Sequence, residues 1–187
     1  TVIQMNEKIG AAAFDPHFWR DPIMAKKEVE IIRDALIAAD PPHKKDYEKS
    51  SAGYLAKLSS LDEKFRKGLT SCETREFVTS HEAFSWLAQR YNLTQTAITG
   101  LSPEAEPSPR RLGELATQAR EKNIKYIFFE TLVSPRLAET LAREIGAQTL
   151  ILNPLEGLTG DEIQSGKDYV SVMEENLDNL RIALSCT

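Results

Sequence analysis

Apolar and polar positions follow two different periods along this chain, and the change comes near residue 72. Asp21-Pro22 pairs a side chain that accepts from free backbone N–H groups with a proline suited to the first helical position. A helix is therefore predicted over 22–39. Asp40-Pro41-Pro42 ends it, because consecutive prolines cannot continue the hydrogen-bond ladder. A second helix is predicted over 43–69. Tyr47, Tyr54, Leu58, Leu61 and Phe65 recur at helical steps, with Lys, Asp and Glu on the other faces. About 25 residues make a rod of ~38 Å, longer than a small domain is wide, so this helix is expected to link two bodies. Beyond Cys72 short apolar runs alternate with amphipathic stretches. Strands are predicted at 75–80, 94–99, 124–129 and 148–152. Helices are predicted at 82–91, from Ser108-Pro109 to 122, from Ser134-Pro135 to 145 with Gly146 closing it, and at 167–185. Residues 101–107 and 153–166 read as loops, and 1–14 carry little pattern. Strands alternating with helices specify an α/β fold: a parallel four-stranded sheet flanked by helices and preceded by a long backbone helix. Its crossovers are expected to be right-handed.

Composition narrows the partners. Of 187 residues, 41% are hydrophobic and 27% charged, the balance of an ordinary globular protein. The formal net charge is −5, and Lys26-Lys27, Lys44-Lys45 and Arg110-Arg111 are interspersed with acids. Nucleic acid is therefore not an expected partner. No apolar run approaches the ~18 residues of a membrane span. Cys72 and Cys186 match no zinc–thiolate spacing. They read either as two buried thiols or as one disulfide.

Ligands of open parallel sheets bind beyond the carboxyl ends of the strands. His81 follows the first predicted strand, Glu104 and Glu106 follow the second, Glu130 the third and Glu156 the fourth. The chain has three histidines. His43, opening a lysine-rich helix, reads as exposed or capping. His17 and His81, taken singly, read as structural histidines; together with Glu156 they form a set suited to a borderline metal such as zinc. Glu130, Glu104 and Glu106 are candidates for orienting a histidine through its second nitrogen, or for capping backbone amides. Trp19, Phe84 and Trp86 read as packing residues. GxSxG, P-loop and GxGxxG motifs are absent, and Ser85 stands where an HExxH helix would need its second histidine.

Several segments together resemble a known family. Asp15-Pro16-His17-Phe18-Trp19-Arg20-Asp21-Pro22 is similar to the signature of the cluster A-I solute-binding proteins, the zinc- and manganese-binding components of bacterial ABC importers. Thr79-Ser80-His81-Glu82-Ala83-Phe84 with Tyr91, Gly100 to Ser108, Phe128-Phe129-Glu130 and Leu152-Asn153-Pro154-Leu155-Glu156 resemble further segments of that family, in order. Arg20 departs from the signature, where leucine is usual.

The resemblance implies two lobes, each with a parallel sheet, joined by a long helix, with the metal between them. Residues 1–42 would be the end of an N-terminal lobe and the linking region, 43–71 the interlobe helix and 72–187 the C-terminal lobe. His17, His81 and Glu156 would be metal ligands. The family's N-terminal lobe would supply a fourth, so the chain is expected to be a fragment, with His17 poorly held. Zinc is expected over Mn²⁺, since manganese members tend to carry Glu where His81 stands and Asp near Glu156. The implied function is a monomeric, extracytoplasmic zinc-binding component that delivers the ion to a membrane ABC permease, in the periplasm or on the outer face of the cytoplasmic membrane. No enzymatic activity is expected. A zinc-dependent hydrolase, which also uses two histidines and a glutamate, and a surface adhesin are the alternatives. Export would make a Cys72–Cys186 disulfide the favoured state of the cysteines.

Overall fold

The computed structural model describes Met5, Lys8 and residues 15–102 and 104–187. The rest of the patternless opening stretch and Pro103 lie outside the described residues. After a short 3-10 turn, Phe18–Arg20, helix α1 spans Pro22–Ala39. The Asp21 side chain accepts from the Ile23 amide at its N-terminus, and Pro22 occupies the first turn. Helix α2, Lys44–Gly68, follows a one-turn 3-10 segment at Pro41–His43. The two helices form an antiparallel pair. Leu58, Leu61 and Phe65 of α2 are buried, while Tyr47 and Tyr54 are partly so. His43 is exposed beside Asp40, as its position implied.

The remaining elements are β1 Glu76–Thr79, α3 Ser85–Arg90, β2 Thr94–Ala97, α4 Pro109–Glu121, β3 Tyr126–Phe129, α5 Arg136–Ile145, β4 Gln148–Ile151, α6 Gly160–Gln164 and α7 Tyr169–Ala183. The four strands form one parallel sheet in the order β2-β1-β3-β4. The expected α/β architecture is thus present. Alternation of side chains across the pleat divides the core in two. Phe77 and Phe128 face a layer built with α2, α3 and α7. Val78 and Ile127 face a layer built with α4 and α5.

Local boundaries differ from the expectations for identifiable reasons. Residues 82–84 form a turn rather than helix, the Glu82 amide donating to Gly100 O. Strand β2 ends at Ala97, although the Ile98 and Thr99 amides still bond Thr79 O and Ser80 O. Strand β3 starts two residues late, because the Ile124 amide is spent on Ala119 O at the end of α4. Helix α5 has Pro135, not a serine side chain, at its N-cap. The loop expected over 153–166 contains α6, whose signal is a capping box: the Thr159 hydroxyl accepts from the Glu162 amide, and the Glu162 carboxylate accepts from the Thr159 amide.

Cys72 and Cys186 form a disulfide across a separation of 114 residues. It joins the segment before β1 to the end of α7, where the Thr74 and Thr187 amides also bond across to Leu184 O and Ser71 O. No helix among the described residues is long and apolar enough to cross a membrane.

Candidate metal centre

The carboxyl ends of β1, β3 and β4 carry the chemistry. His81 leaves β1 two residues past its end. Its backbone carbonyl is held by the Thr79 hydroxyl at 2.8 Å and by Gln95 Nε2 at 3.0 Å. Ser80 is tied across to β3 through Phe128 O at 3.2 Å. Glu130 follows β3 directly, and its Oε1 lies 2.5 Å from His81 Nδ1. Both side chains are buried.

Glu156 is presented by a strained turn beyond β4. Leu155 takes a left-handed conformation with φ of 56°, a region unfavourable for a branched side chain. The Asn153 side chain compensates by accepting from the Leu155 amide at 2.8 Å. Asn153 is itself fixed to α7: its amide donates to Asn176 Oδ1 and its carbonyl accepts from Asn176 Nδ2, each at 2.8 Å.

His17 arrives from the opposite side, at the start of the 3-10 turn before α1. It is only 5% exposed, so the expectation of a poorly held residue is wrong. Three contacts outside its own turn fasten this segment to the loop after β4, to α3 and to α7. Trp19 Nε1 donates to Pro154 O at 3.1 Å, Trp86 Nε1 donates to Asp15 O at 3.2 Å, and the Tyr169 hydroxyl donates to Trp19 O at 2.6 Å. Two of the side chains assigned to packing therefore hold the ends of the histidine-bearing turn.

The three candidate ligands converge. One atom each from His17, His81 and Glu156 lie within 4.8 Å of one another. Glu156 Oε1 is 3.1 Å from His17 Nε2 and 3.3 Å from His81 Nε2. The tautomers follow from what lies behind the rings. His17 Nδ1 faces Asp15 Oδ1 at 2.8 Å and His81 Nδ1 faces Glu130. With an ion bound, the nitrogen facing the carboxylate behind each ring carries the proton, which leaves a lone pair at Nε2 of each neutral ring for the ion. With both rings in that form, two lone pairs and a carboxylate oxygen pointed at a common centre repel, and a cation among them relieves the repulsion. Consistently, His81 Nε2 is buried with no hydrogen-bond partner among the described residues. A tetrahedral ion with bonds of ~2.0–2.1 Å has ligand–ligand edges of about 3.3 Å, close to the two separations seen.

The candidate orienting groups separate here. Glu130 stands behind His81. Glu104 and Glu106 are exposed on the loop after β2, and the place behind His17 belongs to Asp15, which the sequence reading did not single out. Its only local signal is its position two residues before the histidine. Burial raises the Asp15 pKa, but its hydrogen bonds to the His17 ring and amide outweigh this and leave the carboxyl below its ordinary value.

Arg20, which stands where leucine is usual in the signature, is fully buried at the same site. Its Nη2 is 3.4 Å from Glu156 Oε1, and its guanidinium lies 4.7 Å from the centre of the Trp19 ring and 5.2 Å from that of Phe84. Burial lowers its pKa to about 10, opposed chiefly by Glu156, so it stays charged at neutral pH.

Known proteins share this arrangement of sequence and fold. The chain is 46% identical over 172 residues to the high-affinity zinc uptake system protein ZnuA of Bacillus subtilis, covering 92% of this chain and 54% of that relative, about half its length. The Zn(II)-bound ZnuA-like domain of Streptococcus pneumoniae AdcA superimposes with a TM-score of 0.81 at 45% identity, covering 95% of this chain and 68% of that one. The laminin-binding protein Lmb of Streptococcus agalactiae, described as having adhesin and metal-transporting activity, superimposes with a TM-score of 0.91 at 35% identity, covering 98% of this chain and 71% of that one. The family described as zinc-uptake complex component A, periplasmic, matches residues 3–183. The chain belongs to this ZnuA family of metal-binding transport components.

Proposed function

We propose that this chain carries most of the zinc site of an exported solute-binding protein, which captures Zn²⁺ and delivers it to an ABC permease in the membrane. The observation that carries the reading is the convergence of His17 Nε2, His81 Nε2 and Glu156 Oε1, each imidazole backed by a carboxylate. Two nitrogens and one oxygen suit zinc better than manganese, which favours all-oxygen surroundings. Zinc is cargo here: the site coordinates and releases it, and no bond of a substrate need be broken. The division into a linking region (1–42), an interlobe helix (43–71) and a C-terminal lobe (72–187) belongs to the same proposal. So does a fourth ligand supplied from a preceding lobe. The greater length of the curated relative supports both.

A zinc hydrolase would require a general base beside the open coordination position. The two carboxylates nearest the histidines, Asp15 and Glu130, are instead engaged with their Nδ1 atoms, which favours transport over hydrolysis.

The test is native mass spectrometry of the chain with Zn²⁺ and Mn²⁺, beside His17→Ala, His81→Ala and Glu156→Ala. One zinc retained in preference to manganese, and weakened by each substitution, is expected. Zinc affinity unchanged in His81→Ala would remove this site from the chain.

A further inference from the structure

Arg20 has the greatest volume among the fully buried side chains. Its surroundings are mostly aromatic faces, and neither Nε nor Nη1 has a hydrogen-bond partner among the described residues. A buried cation so sparsely paired is unfavourable unless neighbouring charges offset its desolvation. Packing alone would be met by an aliphatic side chain, at no such cost. The offset comes from Asp15, Glu130 and Glu156, and among the described residues the guanidinium's one hydrogen bond is to Glu156 Oε1. That oxygen is the same atom that faces both imidazole nitrogens.

We propose that Arg20 is an affinity-setting residue: an internal cation that engages the Glu156 carboxylate in the ion-free protein and opposes a divalent ion once it binds, so that zinc is held less tightly and released faster. The proposal rests on the zinc site argued above. It follows from the charge balance. With both imidazoles neutral, three carboxylates and one guanidinium leave two negative charges, matching one divalent ion. Removing the guanidinium leaves a third. The attraction gained by an ion then scales with the ion's own charge, whereas a packing effect would not.

The experiment compares the wild-type chain with Arg20→Met and Arg20→Leu at pH 8, above the ordinary histidine range. Dissociation constants are measured for Zn²⁺ and for Ag⁺, and zinc release is followed by chelator chase. Methionine keeps a flexible side chain against the two aromatic faces, and Glu156, exposed at the rim, can hydrate when its partner is removed. Zinc is expected to bind about 30-fold tighter in both variants, chiefly through slower release, and silver, read in Arg20→Leu because a methionine thioether would itself bind silver, about 5-fold tighter, since half the charge gives half the free energy. Arg20→Lys, which keeps the charge and serves if the apolar variants fold poorly, should stay within a few-fold of wild type. Unchanged or weaker zinc binding in folded Arg20→Met, equal gains for zinc and silver, or a large gain in Arg20→Lys would each overturn the proposal. Failure of the wild-type chain itself to bind zinc would instead overturn the site on which it rests.

Discussion

Glu130 Oε1 lies 2.5 Å from His81 Nδ1, and both side chains are almost completely shut from solvent. A buried carboxylate behind an imidazole holds the proton on Nδ1, fixes the ring plane and increases the basicity of Nε2. Glu130→Gln keeps the shape and one acceptor oxygen but loses the charge. Zinc affinity is expected to fall by ~10–100-fold while the fold is retained, measured by competition with a chromophoric chelator. An unchanged affinity would show that Glu130 is no more than a buried partner of His81.

The turn that presents Glu156 depends on a contact made far away in sequence. Asn176 on α7 exchanges two hydrogen bonds with the Asn153 backbone, and Asn153 in turn supports the left-handed Leu155. Asn176→Ala would strand a buried amide and a buried carbonyl, at a cost of about 1–3 kcal/mol. Chemical denaturation should show that loss. Zinc affinity should fall as well, although residue 176 touches no proposed ligand. Leu155 also packs against the core, so the strain is read by comparing two truncations: Leu155→Gly should be more stable than Leu155→Ala by about 1 kcal/mol, because glycine adopts φ of 56° at little steric cost.

Much of this site was legible from strand ends alone. His81, Glu130 and Glu156 each follow a strand, and in an open parallel sheet those positions share one edge. The same rule also collected Glu104 and Glu106, and there it misled. Strands β2 and β4 are both edge strands of the order β2-β1-β3-β4. The loop after β4 is drawn to the site by the Trp19 bond to Pro154 O, whereas Glu104 and Glu106 after β2 stay exposed. The loops after β1 and β3 meet at the centre. Strand order arises from contacts remote in sequence and does not show in local periodicity. The burial of Arg20 is hidden in the sequence for a related reason. A charged residue in an Asp/Pro-rich loop reads as solvated, and only the tertiary arrangement of Trp19, Phe84 and Glu156 reveals that it is enclosed. Asp15 and the α6 capping box were both present as local patterns, an acid two residues before a histidine and a threonine three before a glutamate.

The disulfide should act on stability and not on the metal. Cys72 and Cys186 lie at the opposite end of the sheet from the ligands, beside the start of β1 and the end of α7. Their bond closes a loop spanning a separation of 114 residues. Constraining a loop of that size in the unfolded chain stabilises the fold by roughly 2–5 kcal/mol. Paired Cys72→Ser and Cys186→Ser substitutions are expected to lower the denaturation midpoint accordingly and to leave zinc affinity within about twofold. A large loss of affinity would mean that α7 shifts when its end is released.

Asp62 offers a pH signature independent of the metal. This carboxylate on α2 accepts from Arg90 Nε and Nη2, each at 2.9 Å, from the Tyr91 hydroxyl at 3.0 Å and from Arg66 Nε at 3.1 Å. Arg90 Nε also lies 3.5 Å from Asp21, the cap of α1, so one carboxylate helps join α1, α2 and α3. Burial raises the Asp62 pKa, but the bonds from Arg90 and Tyr91 together lower it below its ordinary value. The folded state therefore binds a proton at Asp62 less readily than the unfolded chain does. The stability this contributes is complete above the ordinary aspartate pKa of ~3.9 and is lost as pH falls through the lower folded value. Asp62→Asn keeps the shape and removes the charge. At pH 7 it should be less stable than wild type by about 2–3 kcal/mol, the scale of a broken, partly buried charged network. The gap should shrink progressively below pH 4. A gap of constant size from pH 7 to pH 3, by urea denaturation, would mean that the substitution acts through packing and that the Asp62 charge contributes nothing to joining the three helices.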